Sequence, residues 1–371
     1  MNICIVAGAR PNFIKVAPIV RAISVAREHG RDIDYMLVYA GREDDPTLES
    51  SLFEDLQINK PDVFLGVDCE NLNELTGQVM SAFEQYLQTN KTDVVIVVDD
   101  LASTMAAAIV TKKQGITLAH LVAGTRSFDI KMPKEINRLV IDGLSDLLFT
   151  AGMGANSIAT REGAELSKIY MVGNILMDTL RFNLPRLKAP AELPELKDRG
   201  YLVFTLNRKA LIADKENLRK MVERIISQAG DIPVVAPLRG RAAEVIEEMG
   251  FFKKSPDDAG LLRTEPLSYL EFGWLTAHAL GIITDSGNVA EEATFNGVPC
   301  ITLNSYTEHI ETVKVGTNVL VGEDAEKLGE AVSQMVGGTW KESAIPDRWD
   351  GRSAERIVQI LMNLPSAESA D

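Results

Sequence analysis

The feature that most constrains this chain is a repeated pairing. A short run of β-branched and aliphatic residues is followed by a stretch with helical apolar spacing. The segment Thr92–Val98 (TDVVIVV) is nearly all apolar, as a strand buried on both faces must be, and a helical stretch from Ser103 to Gln114 follows it. Asn2–Val6 reads as a strand before a helix over Asn12–Glu28, in which Pro18 predicts a kink or a late start. Asp34–Tyr39, Thr117–Val122, Asp146–Thr150 and Ile169–Val172 are further strands. This alternation predicts an α/β fold, a doubly wound parallel sheet wrapped by helices.

Residues 181–199 interrupt the rhythm with Pro185, Pro190, Pro194 and many charges, as a linker would. Strands Tyr201–Thr205, Ile232–Ala236, Ala279–Ile283 and Pro299–Leu303 then alternate with helices over Lys215–Gln228, Arg241–Met249, Leu267–Ala277 and Asn288–Asn296. The expectation is two Rossmann-like domains, 1–180 and 200–350, joined by 181–199. A C-terminal helix from Arg352 to Leu364, within the last segment of about 352–371, would pack back on the first domain, and the final SAESAD would fray. A length of 371 residues suits two or three domains of roughly 150 residues. The 38 basic and 53 acidic residues leave a formal charge of −15, which repels phosphate backbones and disfavours a nucleic-acid partner. Cys4, Cys69 and Cys300 are scattered without metal-ligand or disulfide spacing, which fits a reducing compartment. No apolar run reaches the ~18 residues of a membrane span, and the N-terminus lacks a signal-peptide pattern. The expectation is a cytoplasmic protein with no membrane partner.

Ligands of such sheets bind beyond the carboxyl ends of the strands, and with two halves the natural site is the cleft between them. Four motifs lie just after strands. Gly8-Ala9-Arg10-Pro11-Asn12-Phe13-Ile14-Lys15 combines a tight turn, a helix N-terminus and two cations, suited to an anion. Thr284-Asp285-Ser286-Gly287-Asn288, with Glu291 and Glu292 one turn on, offers amides and a hydroxyl to a diphosphate and a carboxylate to ribose hydroxyls. Ordinary helix capping by Asp285 or Ser286 is compatible with that role. In Val98-Asp99-Asp100 with Ser103-Thr104, capping is the preferred reading for Asp99. Met132-Pro133-Lys134-Glu135-Ile136-Asn137-Arg138 taken alone is a charged first helical turn.

Together these segments resemble the non-hydrolysing UDP-N-acetylglucosamine 2-epimerases over nearly the whole chain. The closest stretches are GARPNFIKVAP, AGTRSFDIKMPKEINRLVIDGLSDLLF, VGNILMDTL, PLSYLEF and TDSGNVAEEATFNGVPCITL. The resemblance implies the two-domain glycosyltransferase B type fold with the UDP-sugar in the interdomain cleft, and a homodimer. It also implies a part in cell-envelope polysaccharide biosynthesis. The implied reaction is anti elimination of UDP to a 2-acetamidoglucal and re-addition after inversion at C2, interconverting UDP-N-acetylglucosamine and UDP-N-acetylmannosamine. No cofactor and no metal are implied. Carried over residue by residue, Asp100 and Glu135 are the catalytic carboxylates. Arg10 and Lys15 are the basic pair, and Arg241 resembles a basic residue of the PxHP segment. Phe272 lies near the uracil, Ser286 and Gly287 hold the diphosphate, and Glu292 holds the ribose.

Several positions depart from the family pattern. The glutamate of HVEAG(L)R is Val122, which cannot transfer a proton, and the histidine of T-x-H-R is Asn207, which can hydrogen-bond but not serve as acid or base. The glutamate and asparagine that usually follow that histidine are Ala210 and Leu211, the PxHP histidine is Arg239, and the histidine after NR is Gly143. The second glycine of the diphosphate turn is Asn288, and the late arginine of TERPE is His309, a histidine placed to reach a ligand. The early GQHYD is Gly41-Arg42-Glu43-Asp44-Asp45. His120 reads as a satisfied core or rim histidine, His278 as a helix-packing one and His29 as a surface one. Alternatives to epimerisation are hydrolysis, transfer or another nucleotide sugar on the same scaffold, or a catalytically silent UDP-sugar-binding protein.

Overall fold

The computed structural model describes all residues except 192, 194, 195, 197–199, 254–258 and 365–371. Parts of the Pro-rich join and the whole SAESAD tail therefore lie outside the described residues. The chain divides into two compact units, Met1–Phe182 with the residues from Asp347 onward, and Asn183–Pro346.

The first unit is built on a parallel sheet of β1 (Asn2–Ala7), β2 (Asp34–Tyr39), β3 (Val63–Phe64), β4 (Val94–Val98), β5 (Thr117–Ala123), β6 (Leu147–Thr150) and β7 (Ile169–Met171), in the order β3-β2-β1-β4-β5-β6-β7. Its helices are α1 (Arg10–Glu28), α2 (Ser50–Leu56), α3 (Leu72–Thr89), α4 (Ala102–Lys113), α5 (Pro133–Leu144), α6 (Met153–Arg161) and α7 (Ile175–Asn183). Period-2 alternation sends Ile3, Ile5, Ile96 and Val98 into one apolar layer with Phe13 and Val16 of α1 and Ile357 of the helix Ser353–Met362. Cys4, Val6, Val95 and Val97 enter the opposite layer with Phe83, Ala107 and Ile141. Both faces are thus covered, which is why these strands carry almost no polar residues.

Helix α1 begins at Arg10 and runs through Pro18 without the expected late start. Proline has no N–H for the Ile14 carbonyl one turn back. The Thr179 hydroxyl supplies the missing donor at 2.6 Å. Helix α3 was not anticipated from the sequence. It is capped by the Asn71 side chain, which accepts from the Asn73 and Glu74 amides, and it buries Val79, Phe83 and Tyr86 on one face.

The second unit repeats the plan with β8 (Leu202–Phe204), β9 (Val234–Ala236), β10 (Phe252–Lys253), β11 (Leu261–Arg263), β12 (Gly281–Thr284), β13 (Cys300–Thr302) and β14 (Asn318–Leu320), in the order β10-β11-β9-β8-β12-β13-β14. In each sheet the strand order reverses in the middle, between β1 and β4 and between β8 and β12, and in the second sheet β10 lies outside β11 at one edge. The turns after those strands flank the crevice where open α/β sheets bind ligands. The motifs that begin at Gly8, Val98 and Thr284 lie in these turns. No helix among the described residues is long and apolar enough to cross a membrane.

Candidate active site

In the first unit the carboxyl ends of β1, β4 and β5 meet. Gly8 closes β1, and a Cβ there would collide with the Ser103 hydroxyl, so the close approach of the two turns requires glycine. Asn12 clamps this turn, its side-chain oxygen accepting from the amides of Gly8 at 2.9 Å and Ala9 at 3.2 Å. Arg10 is half-buried at the first position of α1, and Lys15 is buried one turn further.

Asp99 and Asp100 follow β4 and diverge. The Asp99 carboxylate meets Lys15 Nζ at 2.6 Å and Asn12 Nδ2 at 2.9 Å. It does not cap α4. The N-cap of that helix is Leu101, whose amide donates to the Thr104 hydroxyl. The capping expectation for Asp99 fails because its backbone is left-handed (φ 58), which turns the side chain away from α4 and toward α1. Its carbonyl accepts from His120 Nε2 at 2.9 Å, and His120 Nδ1 lies 2.5 Å from buried Asp142. Asp142 in turn meets Arg126 at 2.7 Å. His120 is thus satisfied in the core, and it holds a bond of the active-site turn.

Asp100 meets Arg138 of α5 through Nη2 at 2.6 Å and Nε at 2.9 Å, with Lys134 at 3.4 Å. Burial raises the Asp100 pKa, but Lys134 and Arg138 outweigh it and hold the carboxyl below its ordinary value. Glu135 sits 3.1 Å from Arg138 and accepts from the Ser127 amide and hydroxyl and the Phe128 amide, each at 2.9 Å. Its pKa is also lowered, these donors and Arg138 overcoming burial. Arg138 is 5% exposed and bridges the two carboxylates. Sequence reading had treated it as part of a charged first turn. The (i, i+3) spacing from Glu135 was the available clue, but its meeting with Asp100, 38 residues away, is tertiary.

Val122, at the end of β5, is half-buried with φ 71, at a register shift between Leu121 and Ala123. A cavity of about 460 Å³ lies at the carboxyl ends of β1 and β2, lined by Gly8, Tyr39, Arg42, Asp45, Asp68 and Ser103 among others. The Gly41–Asp45 segment that departs from the family pattern thus forms part of its wall. Arg42 there is paired with Asp44 at 2.6 Å and Asp68 at 3.3 Å.

In the second unit the turn after β12 faces the turn after β8. The Asp285 carboxylate accepts the amides of Asn207 at 2.7 Å and Arg208 at 2.5 Å, tying the two turns together. Ser286 caps the helix Gly287–Asn296. A Cβ on Gly287 would lie 2.8 Å from His309 Cδ2, so glycine leaves room for that ring. His309 Nδ1 is 2.8 Å from Glu291. Asn288 is half-buried in the first helical turn. Glu292 is 7% exposed, and burial, then the neighbouring Glu291 charge, push its carboxyl up to about 8. Phe272 is half-buried on the helix Tyr269–Ala277, which Ser268 caps. Arg241 is exposed and lies along its own helix against Glu244 at 3.0 Å and Glu248 at 3.4 Å. Asn207 and Arg239 are exposed, and His278 stacks on Trp274 at 4.5 Å.

The UDP-N-acetylglucosamine 2-epimerase family model matches residues 26–362. The chain belongs to the UDP-N-acetylglucosamine 2-epimerase family. It is 36% identical to UDP-N-acetylglucosamine 2-epimerase of Methanocaldococcus jannaschii, with 97% of this chain and 99% of that one covered. It is 33% identical to UDP-2,3-diacetamido-2,3-dideoxy-D-glucuronate 2-epimerase of Pseudomonas aeruginosa, covering 98% of this chain and all of that one. The crystal structure of the Methanocaldococcus jannaschii enzyme in complex with UDP-GlcNAc and UDP superposes with a TM-score of 0.81 at 34% identity, over 97% of this chain and 99% of that one. Membership of this epimerase family makes the protein an isomerase-family enzyme, with the two Rossmann-like sheets of the glycosyltransferase B type.

Proposed function

We propose that this 2-epimerase-family protein interconverts UDP-N-acetylglucosamine and UDP-N-acetylmannosamine by elimination and re-addition of UDP. The observation that carries the reading is the buried Asp100–Arg138–Glu135 bridge between the β4 turn and α5. It holds two carboxylates in their ionised form, ready to act as bases, just beyond the carboxyl end of β4. Asp100 and Glu135 carry proton transfer at C2. Arg10 and Lys15 add positive charge for the departing diphosphate. Ser286, Gly287 and Asn288 hold the diphosphate at a helix N-terminus, where amide groups favour an anion. Glu292, protonated at neutral pH, can donate as well as accept toward ribose hydroxyls. Phe272 covers the base. His309 is carried on the ligand side of Gly287, and Arg241 becomes available to phosphate only on leaving its glutamate partners. The same reading carries a cytoplasmic homodimer in cell-envelope polysaccharide biosynthesis, with UDP-sugar as the partner.

Incubating the protein with UDP-N-acetylglucosamine in heavy water tests this. Deuterium at C2 together with UDP-N-acetylmannosamine is the expected result. No exchange at high protein concentration, with exchange on UDP-2,3-diacetamido-2,3-dideoxy-D-glucuronate instead, would move the substrate. Exchange on neither overturns the reading.

A further inference from the structure

Epimerisation at C2 requires a proton-transfer group on each face of the sugar, and at the end of β5 this chain presents the apolar side chain of Val122. Strands β4 and β5 are paired with Val98 opposite Leu121, so the next residues, Asp99 and Val122, are neighbours at the carboxyl ends of the strands. The Asp99 amide donates to the Leu121 carbonyl at 3.3 Å. Both residues are left-handed, with φ of 58 and 71, a conformation that L side chains adopt at an energetic cost and that is retained chiefly where a site demands it.

The left-handed turn at Asp99 sends its carboxylate to α1 while the next carboxylate, Asp100, goes to α5. Asp99 is gripped from three sides: Lys15 and Asn12 at the carboxylate, His120 at the carbonyl. Its side chain is 17% exposed, so it is anchored but reachable. The Lys15 ammonium at 2.6 Å is a proton donor whose proton this carboxylate can relay, as an apolar residue cannot.

We propose that Asp99, supported by Lys15, is the carboxylate that exchanges a proton with C2 in place of any group at position 122. This rests on the epimerase reading above. In the elimination a carboxylate takes the C2 proton, the C2–H electron pair becomes the C1=C2 π bond, and the C1–O pair departs on the UDP oxygen. In the return step the UDP oxygen gives its pair back to C1, and the π pair takes a proton on the other face through Asp99, which draws it from the Lys15 ammonium. One proton is bound and one released. The Asp100–Glu135 pair, on the α5 side, serves one face, and Asp99, on the α1 side, serves the other.

The test compares wild type, D99N and the D99N/V122E double variant by C2 deuterium exchange, kcat, KM and melting temperature, with UDP-N-acetylglucosamine as substrate. The expected result for D99N is a fall of at least about 10²-fold in kcat and exchange, with KM and melting temperature little changed. Restoring a carboxylate at the adjacent position in D99N/V122E should recover at least about tenfold of that loss. A D99N kcat within about threefold of wild type, a loss that follows KM or melting temperature, or no recovery in the double variant overturns the assignment. Exchange absent in wild type overturns the epimerase reading and the assignment with it, whereas exchange that persists in D99N overturns the assignment alone.

Discussion

The Thr179 hydroxyl donates a 2.6 Å hydrogen bond to the Ile14 carbonyl, the group that Pro18 leaves without a backbone donor inside α1. Thr179 is fully buried, so losing its hydroxyl strands a carbonyl away from water. Thr179→Val is expected to cost about 1–3 kcal/mol. Adding Pro18→Ala restores an N–H for Ile14 and should recover part of that loss. Urea denaturation of the two single variants and the double variant measures the coupling.

Arg138 is the shared partner of Asp100 and Glu135. Arg138→Ala leaves two carboxylates at a buried site without their cation and is expected to cost about 3–5 kcal/mol. Both carboxyls are held below their ordinary values, so their stabilising contribution is present above the unfolded range near 4 and is lost as pH falls through the lower folded values. In Arg138→Ala this acid dependence should shrink, and C2 exchange should fall. Arg138→Lys keeps a charge but not the planar fork, and should be intermediate in both. Denaturation midpoints between pH 3 and 7 provide the check.

Glu292 shows the opposite sign. Its folded pKa is raised to about 8, so the native state keeps a proton that the unfolded chain releases from its ordinary value upward. Its contribution is full below the unfolded pKa and is lost as pH rises through about 8. Glu292→Gln preserves a neutral side chain of the same shape and removes this slope. The variant should be the more stable protein above that pH, by on the order of 4 kcal/mol. Thermal or urea unfolding of both proteins at pH 6 and pH 9 decides it: a slope unchanged by the substitution would place the titration elsewhere.

Gly287 opens the helix that Ser286 caps, with the His309 ring against it. Gly287→Ala puts a methyl group against that ring and should weaken UDP binding about tenfold, the size of a ~1.4 kcal/mol misfit. Removing the ring in Gly287→Ala/His309→Ala makes room again and should return part of the affinity. Calorimetric titration with UDP reads both.

The strands that carry the motifs were legible because each is a run of apolar residues bounded by turn chemistry. Val94–Val98 could only be buried on both faces. The short strands β3, β10, β11 and β14, of two or three residues each, lack enough residues to show a period. Helix α3 escaped because its buried face, Val79, Phe83 and Tyr86, is a narrow stripe in an otherwise polar segment.

The sequence by itself determined the α/β class, the positions of the main strands along the chain and the family, since apolar periodicity and local turn residues are properties of neighbours in the chain. It also marked Asp100 and Glu135 as carboxylates at element ends. Only the tertiary structure decided what those carboxylates face. Arg138 lies 38 residues from Asp100, and Lys15 lies 84 residues from Asp99. Sheet register brings Asp99 beside Val122, and a left-handed φ turns Asp99 from a plausible helix cap into the partner of a lysine. Electrostatic contacts act through space, and no pattern of spacing along the chain reports them.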